Sequence, residues 1–252
     1  MHHPLVSIIT VALNAEAYIG QTIQSVLAQT WRPVEYIIVD GGSTDGTLSV
    51  INRNRDRIDH VISEKDEGIA DAMNKGLALA TGDYVIFLQA DDYFKDRESL
   101  AQAMLFVDNA DLIACNIEFG REHQVIKPRG FNFWFNFKGI PHQGVLCRRT
   151  LLNELRGFDQ RFGICMDYDF LLRAFRRGAR LVKTPVVLTV MRDTGVSSRK
   201  DWKGLKKRFD EERRAHEKNC PSGLMGLIYR LYWLFYPLYR RKRYLMEKGG
   251  GD

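Results

Sequence analysis

The stretch Glu35-Tyr36-Ile37-Ile38-Val39-Asp40-Gly41-Gly42-Ser43-Thr44-Asp45-Gly46-Thr47 decides the fold. Its Ile-Ile-Val run is apolar and β-branched without alternation, the pattern of a strand covered on both faces. Asp40 ends the run, and the Gly, Ser and Asp residues after it permit tight turns before a short helix that starts at Thr47. Upstream, residues 6–11 form a second such run, interrupted only by Ser7 and Thr10, with Asn14 and Glu16 just beyond it. Between the two runs Ile19, Ile23, Val26 and Leu27 recur at helical spacing, which predicts an amphipathic helix over 15–29. Strand, helix and buried strand make a parallel βαβ unit.

Downstream the alternation continues. The pattern predicts a weak strand at 60–63, a helix over 69–80, a strand at 84–88 that delivers Gln89-Ala90-Asp91-Asp92, a helix near 99–107 and a strand at 111–117. Residues 129–141 are dense in Phe, Trp and Asn and predict an irregular aromatic loop or a hairpin. Beyond them come a helix at 168–177, a strand at 186–191 and a strongly charged, exposed helix at 201–218. The fold class is α/β, a Rossmann-like βαβ sandwich with a mostly parallel central sheet and a C-terminal amphipathic helical tail. Ligands of such sheets gather beyond the carboxyl ends of the strands, so Asn14, Asp40 and Asp91 are expected around one crevice.

The 252 residues are 45% hydrophobic and 27% charged, an ordinary globular mixture that excludes a largely disordered or polytopic membrane chain. The net charge of +6 is not spread evenly. Residues 201–252 carry 13 basic and 7 acidic side chains, which accounts for all of the excess and leaves the body neutral, so no nucleic-acid partner is expected. Cys115, Cys147, Cys165 and Cys220 are far apart with no Cys-x-x-Cys pair, which favours a reducing compartment. No basic and apolar leader precedes the first strand, and a cytoplasmic location is expected.

Four carboxylates, Asp40, Asp71, Asp91 and Asp92, follow strands or open helices, and their crowding makes sense around a divalent cation or the donor groups of a ligand. Asp45 and Asp96 read as local helix-start charges. The loop after Asp40 has no Gly-x-Gly-x-x-Gly spacing, and Thr47 stands where a Walker loop has lysine, so neither a dehydrogenase nor an NTPase is supported.

The ordered motifs Ser7-Ile8-Ile9-Thr10 with Asn14, Val39 through Thr47, Gly68 through Gly76, Thr81-Gly82-Asp83-Tyr84, Gly157-Phe158-Asp159 and Met166-Asp167-Tyr168-Asp169, over residues 5–198, resemble a family-2 inverting glycosyltransferase of the GT-A fold. Bacterial O-antigen and exopolysaccharide transferases are the nearest in kind. The resemblance implies a transferase domain over 1–198, with a nucleotide-binding half at about 1–117 and an acceptor-binding half at 118–198. It implies that Thr10, Asn14, Glu16, Asp40, Asp71, Gln89 and Asp91 hold a nucleotide-sugar donor, a UDP-sugar above others. Asp91 would ligate Mg²⁺ or Mn²⁺, and Asp167 would be the catalytic base of a hexosyl transfer. Gln89 replaces the first acid of the family's Asp-x-Asp pattern, and Met166 replaces an acid common before Asp167. His142 and Arg192 are candidate diphosphate or acceptor contacts, with Gly195 to Ser198 following the latter. Asp169, two residues after Asp167, reads as a helix-start charge. The aromatic residues 131–137 read as core, or as a surface for sugar or lipid.

Residues 224–239 are almost wholly apolar or aromatic and are closed by Arg240-Arg241-Lys242-Arg243, with Arg230 and Pro237 interrupting a run too short to span a bilayer. The order suits a helix lying on an anionic membrane through residues 222–243, within a tail of residues 199–248, and places the protein peripherally at the cytoplasmic face of an inner membrane. The bland alternative is a helix packed on the body or on a second copy of the chain. Residues 249–252 read as an appended remnant. A lipid-linked saccharide is the expected acceptor. Two other functions fit the same fold: a non-catalytic nucleotide-sugar-binding scaffold subunit, and a sugar nucleotidyltransferase, whose basic Gly-rich first loop is missing here.

Overall fold

In the computed structural model, residues 3–194 and 201–249 are described. One sheet dominates. In chain order its strands are β1 (Val6–Ala12), β2 (Val34–Asp40), β3 (His60–Ser63), β4 (Tyr84–Phe87), β5 (Tyr93–Phe94), β6 (Leu112–Phe119), β7 (Gln124–Ile126), β8 (Val145–Arg148) and β9 (Leu181–Met191). Across the sheet they run β3-β2-β1-β4-β8-β6-β9-β5, with β7 on β6. The pairs β2/β3, β1/β2, β1/β4 and β6/β9 are parallel, whereas β8 is antiparallel to both of its neighbours, and β5 and β7 are antiparallel to theirs. The first half of the expected mostly parallel sheet is wholly parallel, and the antiparallel pairs enter in the second half. β5, β7 and β8 are too short to carry a period of their own.

Side-chain alternation divides the core into two layers. Ile9, Val11, Ile37 and Val39 face α3 (Ile69–Leu79), α5 (Arg149–Glu154) and α6 (Met166–Arg177), while Val6, Ile8, Tyr36 and Ile38 face α1 (Ile19–Leu27), α2 (Thr47–Asn52) and α4 (Ser99–Met104). Gly76 lets α3 lie close on β1, because a Cβ there would meet Ile9 Cγ2 at 2.4 Å. The first helix begins at Ile19 rather than near 15, because residues 13–18 form turns that are bonded to the loop after β2.

In the second half one expectation is narrowed and one changes. Residues 129–141 form the irregular aromatic loop and not the hairpin. A 3₁₀ turn at Phe133–Asn136 sets Phe135 into the core and leaves Phe133 and Trp134 exposed. The charged helix α7 (Trp202–Lys218) is not fully exposed, since Phe209, Glu211, Ala215 and His216 are buried against α6 and the last helix. That helix, α8 (Gly223–Gly249), runs through Pro237 without a break. It lies on α7 through Tyr229, Trp233 and Tyr236, with the Tyr229 ring stacked on His216 at 4.3 Å and the Tyr236 ring 5.4 Å from Phe209. Among the described residues no helix is long and apolar enough to cross a membrane. The boundary expected near residue 198 lies outside the described residues, as do residues 250–252 of the expected remnant.

Candidate active site

Strand direction alone gathers the polar loops. β1, β2, β3, β4 and β9 share one direction, so the segments after them open at one edge of the sheet; β8 runs oppositely, and the segment before it opens there too. The edge thus collects Asn14 and Glu16, the Asp40 loop, the entry to α3, Gln89 to Asp92, His142 and Arg192.

The first two loops bind each other. Asn14 has a left-handed backbone (φ 49°), a conformation Asn tolerates better than most residues, and its Oδ1 accepts from Thr44 N at 2.9 Å. Its own N–H donates to Ser43 Oγ at 2.8 Å, and Glu16 Oε2 accepts from Gly46 N at 3.0 Å. Asp40 is fully buried and accepts from Gly42 N, Ser43 N, Ser63 Oγ and Ser43 Oγ. With no exposed surface and all four of these bonds made to its own loop and to β3, Asp40 shapes the loop and does not face the crevice. Thr10 is also fully buried, its hydroxyl 3.2 Å from Tyr36 Oη in the core. The direct nucleotide contacts expected of Thr10 and Asp40 are therefore corrected. The period-two pattern turns Thr10 inward, and the turn encloses Asp40. Asp71 opens α3 and accepts from Glu67 N at 3.0 Å and Gln160 Nε2 at 3.0 Å, with Lys75 Nζ at 3.2 Å. The Glu67 N–H and the lysine hold its carboxyl below the usual range. Asp45 and Asp96 serve as local helix-start acceptors, for Thr47 N at 3.0 Å and Glu98 N at 2.9 Å respectively.

After β4 the chain presents adjacent carboxyls of unlike character. Asp91 is partly exposed, and its Oδ2 accepts from Thr194 Oγ1 at 2.7 Å. Asp92 is 2% exposed and accepts from Arg192 N at 3.0 Å. Burial, with the neighbouring Asp91 charge, pushes Asp92 up to about 7. Arg192 lies between the Tyr18 and Tyr93 rings, 4.9 Å from each centroid, and its guanidinium donates to the Asp91 carbonyl and to Gln21 Oε1. It clamps the Asp91 loop. Gly195 to Ser198, expected to follow Arg192 at this edge, lie outside the described residues.

The opposite wall comes from α6. Asp167 stands in its first turn, where its Oδ1 accepts from Tyr168 N at 2.7 Å and its Oδ2 faces His142 Nδ1 at 3.0 Å. His142 Nε2 in turn lies 3.2 Å from Gln89 Nε2. An amide nitrogen only donates, so His142 Nε2 accepts and Nδ1–H donates to Asp167. This chain joins the α6 side of the crevice to the strand end that bears Asp91. Asp169 is not a free helix-start charge: it is fully buried and bonded to Arg173 Nε at 2.9 Å, Lys218 Nζ at 2.9 Å and Asn219 Nδ2 at 2.9 Å, tying α6 to the end of α7.

Glu211 of α7, buried, accepts from Gly163 N, Ile164 N and Cys165 N at 3.2, 2.7 and 2.9 Å and so fixes the entry to the helix that carries Asp167. No local pattern marks Glu211 for this task, since its partners lie more than 45 residues away. Asp92 was legible as an acid, but its burial was not.

Among the described residues no three His, Cys, Asp or Glu side chains gather around a metal position. A hard cation bound to a diphosphate needs only one or two protein carboxylates. Partly exposed Asp91, with the Gln89 side chain at the same strand end, fits such an ion.

A largely parallel sheet between helical layers, with its chemistry-bearing residues along the carboxyl edge and a base candidate across from them, defines the class of GT-A glycosyltransferases. The shape agrees with solved members: the Staphylococcus aureus TarS 1–349 crystal structure aligns with TM-score 0.70 at 18% identity, over 86% of this chain and 66% of that one. A mannosyltransferase from Pyrobaculum calidifontis, PcManGT, in complex with GDP-Man and Mn²⁺, aligns with TM-score 0.71 at 21% identity, over 100% of this chain and 77% of that one. Residues 7–182 match the model of Glycosyl transferase family 2, and the chain belongs to that family. A PGL/p-HBAD biosynthesis glycosyltransferase of Mycobacterium tuberculosis is 29% identical over 81% of this chain and 80% of its own length. An uncharacterized glycosyltransferase of the same species is 33% identical over 79% of each.

Proposed function

We propose that this glycosyltransferase moves a hexosyl unit, with inversion, from a nucleotide-sugar donor to a lipid-linked saccharide in the assembly of a bacterial surface polysaccharide such as O-antigen or exopolysaccharide. The observation that carries the reading is the chain Gln89, His142, Asp167, with contacts of 3.2 and 3.0 Å, which spans the crevice between the Asp91 strand end and α6. A direct displacement needs a base opposite the leaving diphosphate. In this reading the acceptor oxygen forms its bond to the sugar anomeric carbon as the bond from that carbon to the diphosphate oxygen breaks, and the acceptor's proton passes to the Asp167 carboxylate.

His142 is the positioning residue: its Nδ1–H holds Asp167 Oδ2, and its Nε2 is held by Gln89. Asp91 carries the charge that would hold Mg²⁺ or Mn²⁺, and the ion, when bound, neutralises charge on the departing nucleoside diphosphate. Asn14 and Glu16 support the donor site by pinning the loop after β2, and Asp71 holds the entry to α3. A UDP-sugar is the favoured donor. The relative PcManGT is described with GDP-Man and Mn²⁺, and TarS with UDP-GlcNAc, so both nucleotides belong in the test. The enzyme would act peripherally at the cytoplasmic face of the inner membrane.

The test combines binding and turnover. UDP or GDP with Mn²⁺ should raise the melting temperature by mass action. Asp167→Asn should leave that shift unchanged while transfer to an extracted lipid-linked acceptor falls about a thousandfold or more. Unchanged turnover in Asp167→Asn removes Asp167 from its role, and no shift with any nucleoside diphosphate removes the donor.

A further inference from the structure

Two exposed apolar segments remain outside the crevice, and they are continuous. On α8, Leu224, Leu227, Leu231, Leu234 and Leu238 recur every three or four residues and are each more than half exposed, while Met225, Tyr229 and Tyr236 on the other side pack inward. Phe133 and Trp134 at the tip of the aromatic loop are also more than half exposed. Phe137 joins the two segments: its ring lies 5.7 Å from Phe133 and 4.9 Å from Tyr232, and it lines a groove of about 470 Å³ with Leu231, Phe235 and Tyr239. A monomeric soluble protein seldom leaves a surface of this extent uncovered.

Charge tells which occupant covers it. Residues 124–153 and 218–246 contain no Asp or Glu, and exposed Lys127, Arg129, Lys138, Arg230, Arg241 and Lys242 belong to them. Two copies of the chain joined through this face would set basic segments against basic segments, with no carboxylate in either to answer them. An apolar stripe on basic segments that contain no Asp or Glu matches the headgroup region of an anionic leaflet, and Trp134 and Tyr239 suit its interface.

We infer that α8 and the loop of residues 127–138 dock together on an anionic lipid bilayer, with Phe133 and Trp134 inserted beside the leucine stripe as a second anchor. The same loop runs directly into His142, so docking sets the crevice at the membrane surface, where a lipid-linked acceptor presents its sugar. This surface deepens the membrane-acceptor reading above, and it can fail without the transferase reading failing, because nucleoside diphosphate binding in solution does not involve it.

Flotation of the full-length protein with phosphatidylcholine vesicles, with and without roughly one-third phosphatidylglycerol, tests it. The protein should float with the anionic vesicles and not with the neutral ones. Phe133→Ser with Trp134→Ser should weaken binding about tenfold or more, although α8 is intact and the nucleotide-induced melting shift is unchanged. Arg230→Glu with Arg241→Glu should weaken it comparably. Vesicles should shift tryptophan emission to the blue in the wild type, and Trp134→Phe should remove most of that shift while retaining binding. Wild-type affinity in the loop variant, or a full blue shift in Trp134→Phe, overturns the two-part anchor. A wild-type protein that ignores anionic vesicles and forms a dimer dissociated by Leu231→Ser with Phe235→Ser overturns the lipid assignment in favour of contact between copies.

Discussion

Acid should act on this fold through His216. The ring is 1% exposed; Trp233 Nε1 donates to its Nδ1 at 2.9 Å, and its Nε2 lies 2.8 Å from Tyr168 Oη. A nitrogen that accepts from an indole N–H has no room for a proton, so protonation breaks that bond and places a charge where α6, α7 and α8 meet. Burial, with Arg176 adding repulsion, pulls the pKa from 6.5 down to about 3. The folded state then refuses a proton that the unfolded chain accepts. His216 is neutral to stability above about pH 6.5 and destabilises as pH falls from there towards about 3, by nearly one factor of ten in the folding equilibrium per pH unit. That amounts to about 1 kcal/mol at about pH 5.5 and about 3 kcal/mol at about pH 4.5.

Asp92 acts in the opposite sense, because its raised pKa means that the folded state holds a proton more tightly than the unfolded chain and gains stability as pH falls through about 7. The wild-type curve mixes the two effects, and His216→Gln separates them. Glutamine offers an acceptor to Trp233 and a donor to Tyr168, and it does not titrate. Urea denaturation followed by far-ultraviolet circular dichroism at about pH 7.5, 5.5 and 4.5 should show the variant gaining about 3 kcal/mol on the wild type between the extremes. A difference that stays constant with pH refutes a neutral, buried His216 at this junction.

Other perturbations follow from particular contacts. Glu211→Ala removes the acceptor of the Gly163, Ile164 and Cys165 N–H groups before α6, of which the last is buried, and should cost about 1–3 kcal/mol in urea denaturation. It should also lower transfer through Asp167 more than it lowers nucleoside diphosphate affinity. Gly76→Ala places a methyl 2.4 Å from Ile9 Cγ2. The resulting strain of about 1–3 kcal/mol should outweigh alanine's helix preference of about 1 kcal/mol and lower the denaturation midpoint, whereas a stabilised variant would mean that α3 does not sit close on β1.

Local periodicity carries over distances of a few residues, and what depended on it was legible without coordinates. The buried runs at β1, β2 and β4, the turn chemistry after Asp40 and the helical spacing of Ile19, Ile23 and Val26 identified a βαβ sheet, and with it the edge at which ligands gather. Contacts between distant segments follow no such period, and only the folded chain decided them. β8 runs against its neighbours and so brings His142 to the same edge as Asp91. Asp40 and Thr10 lie at the right place in the chain but face inward. Glu211 and His216, which read as members of an exposed charged helix, are buried because α7 lies between α6 and α8. The residues that hold Asp167 in place come from three stretches of chain, brought together by packing that no single stretch encodes.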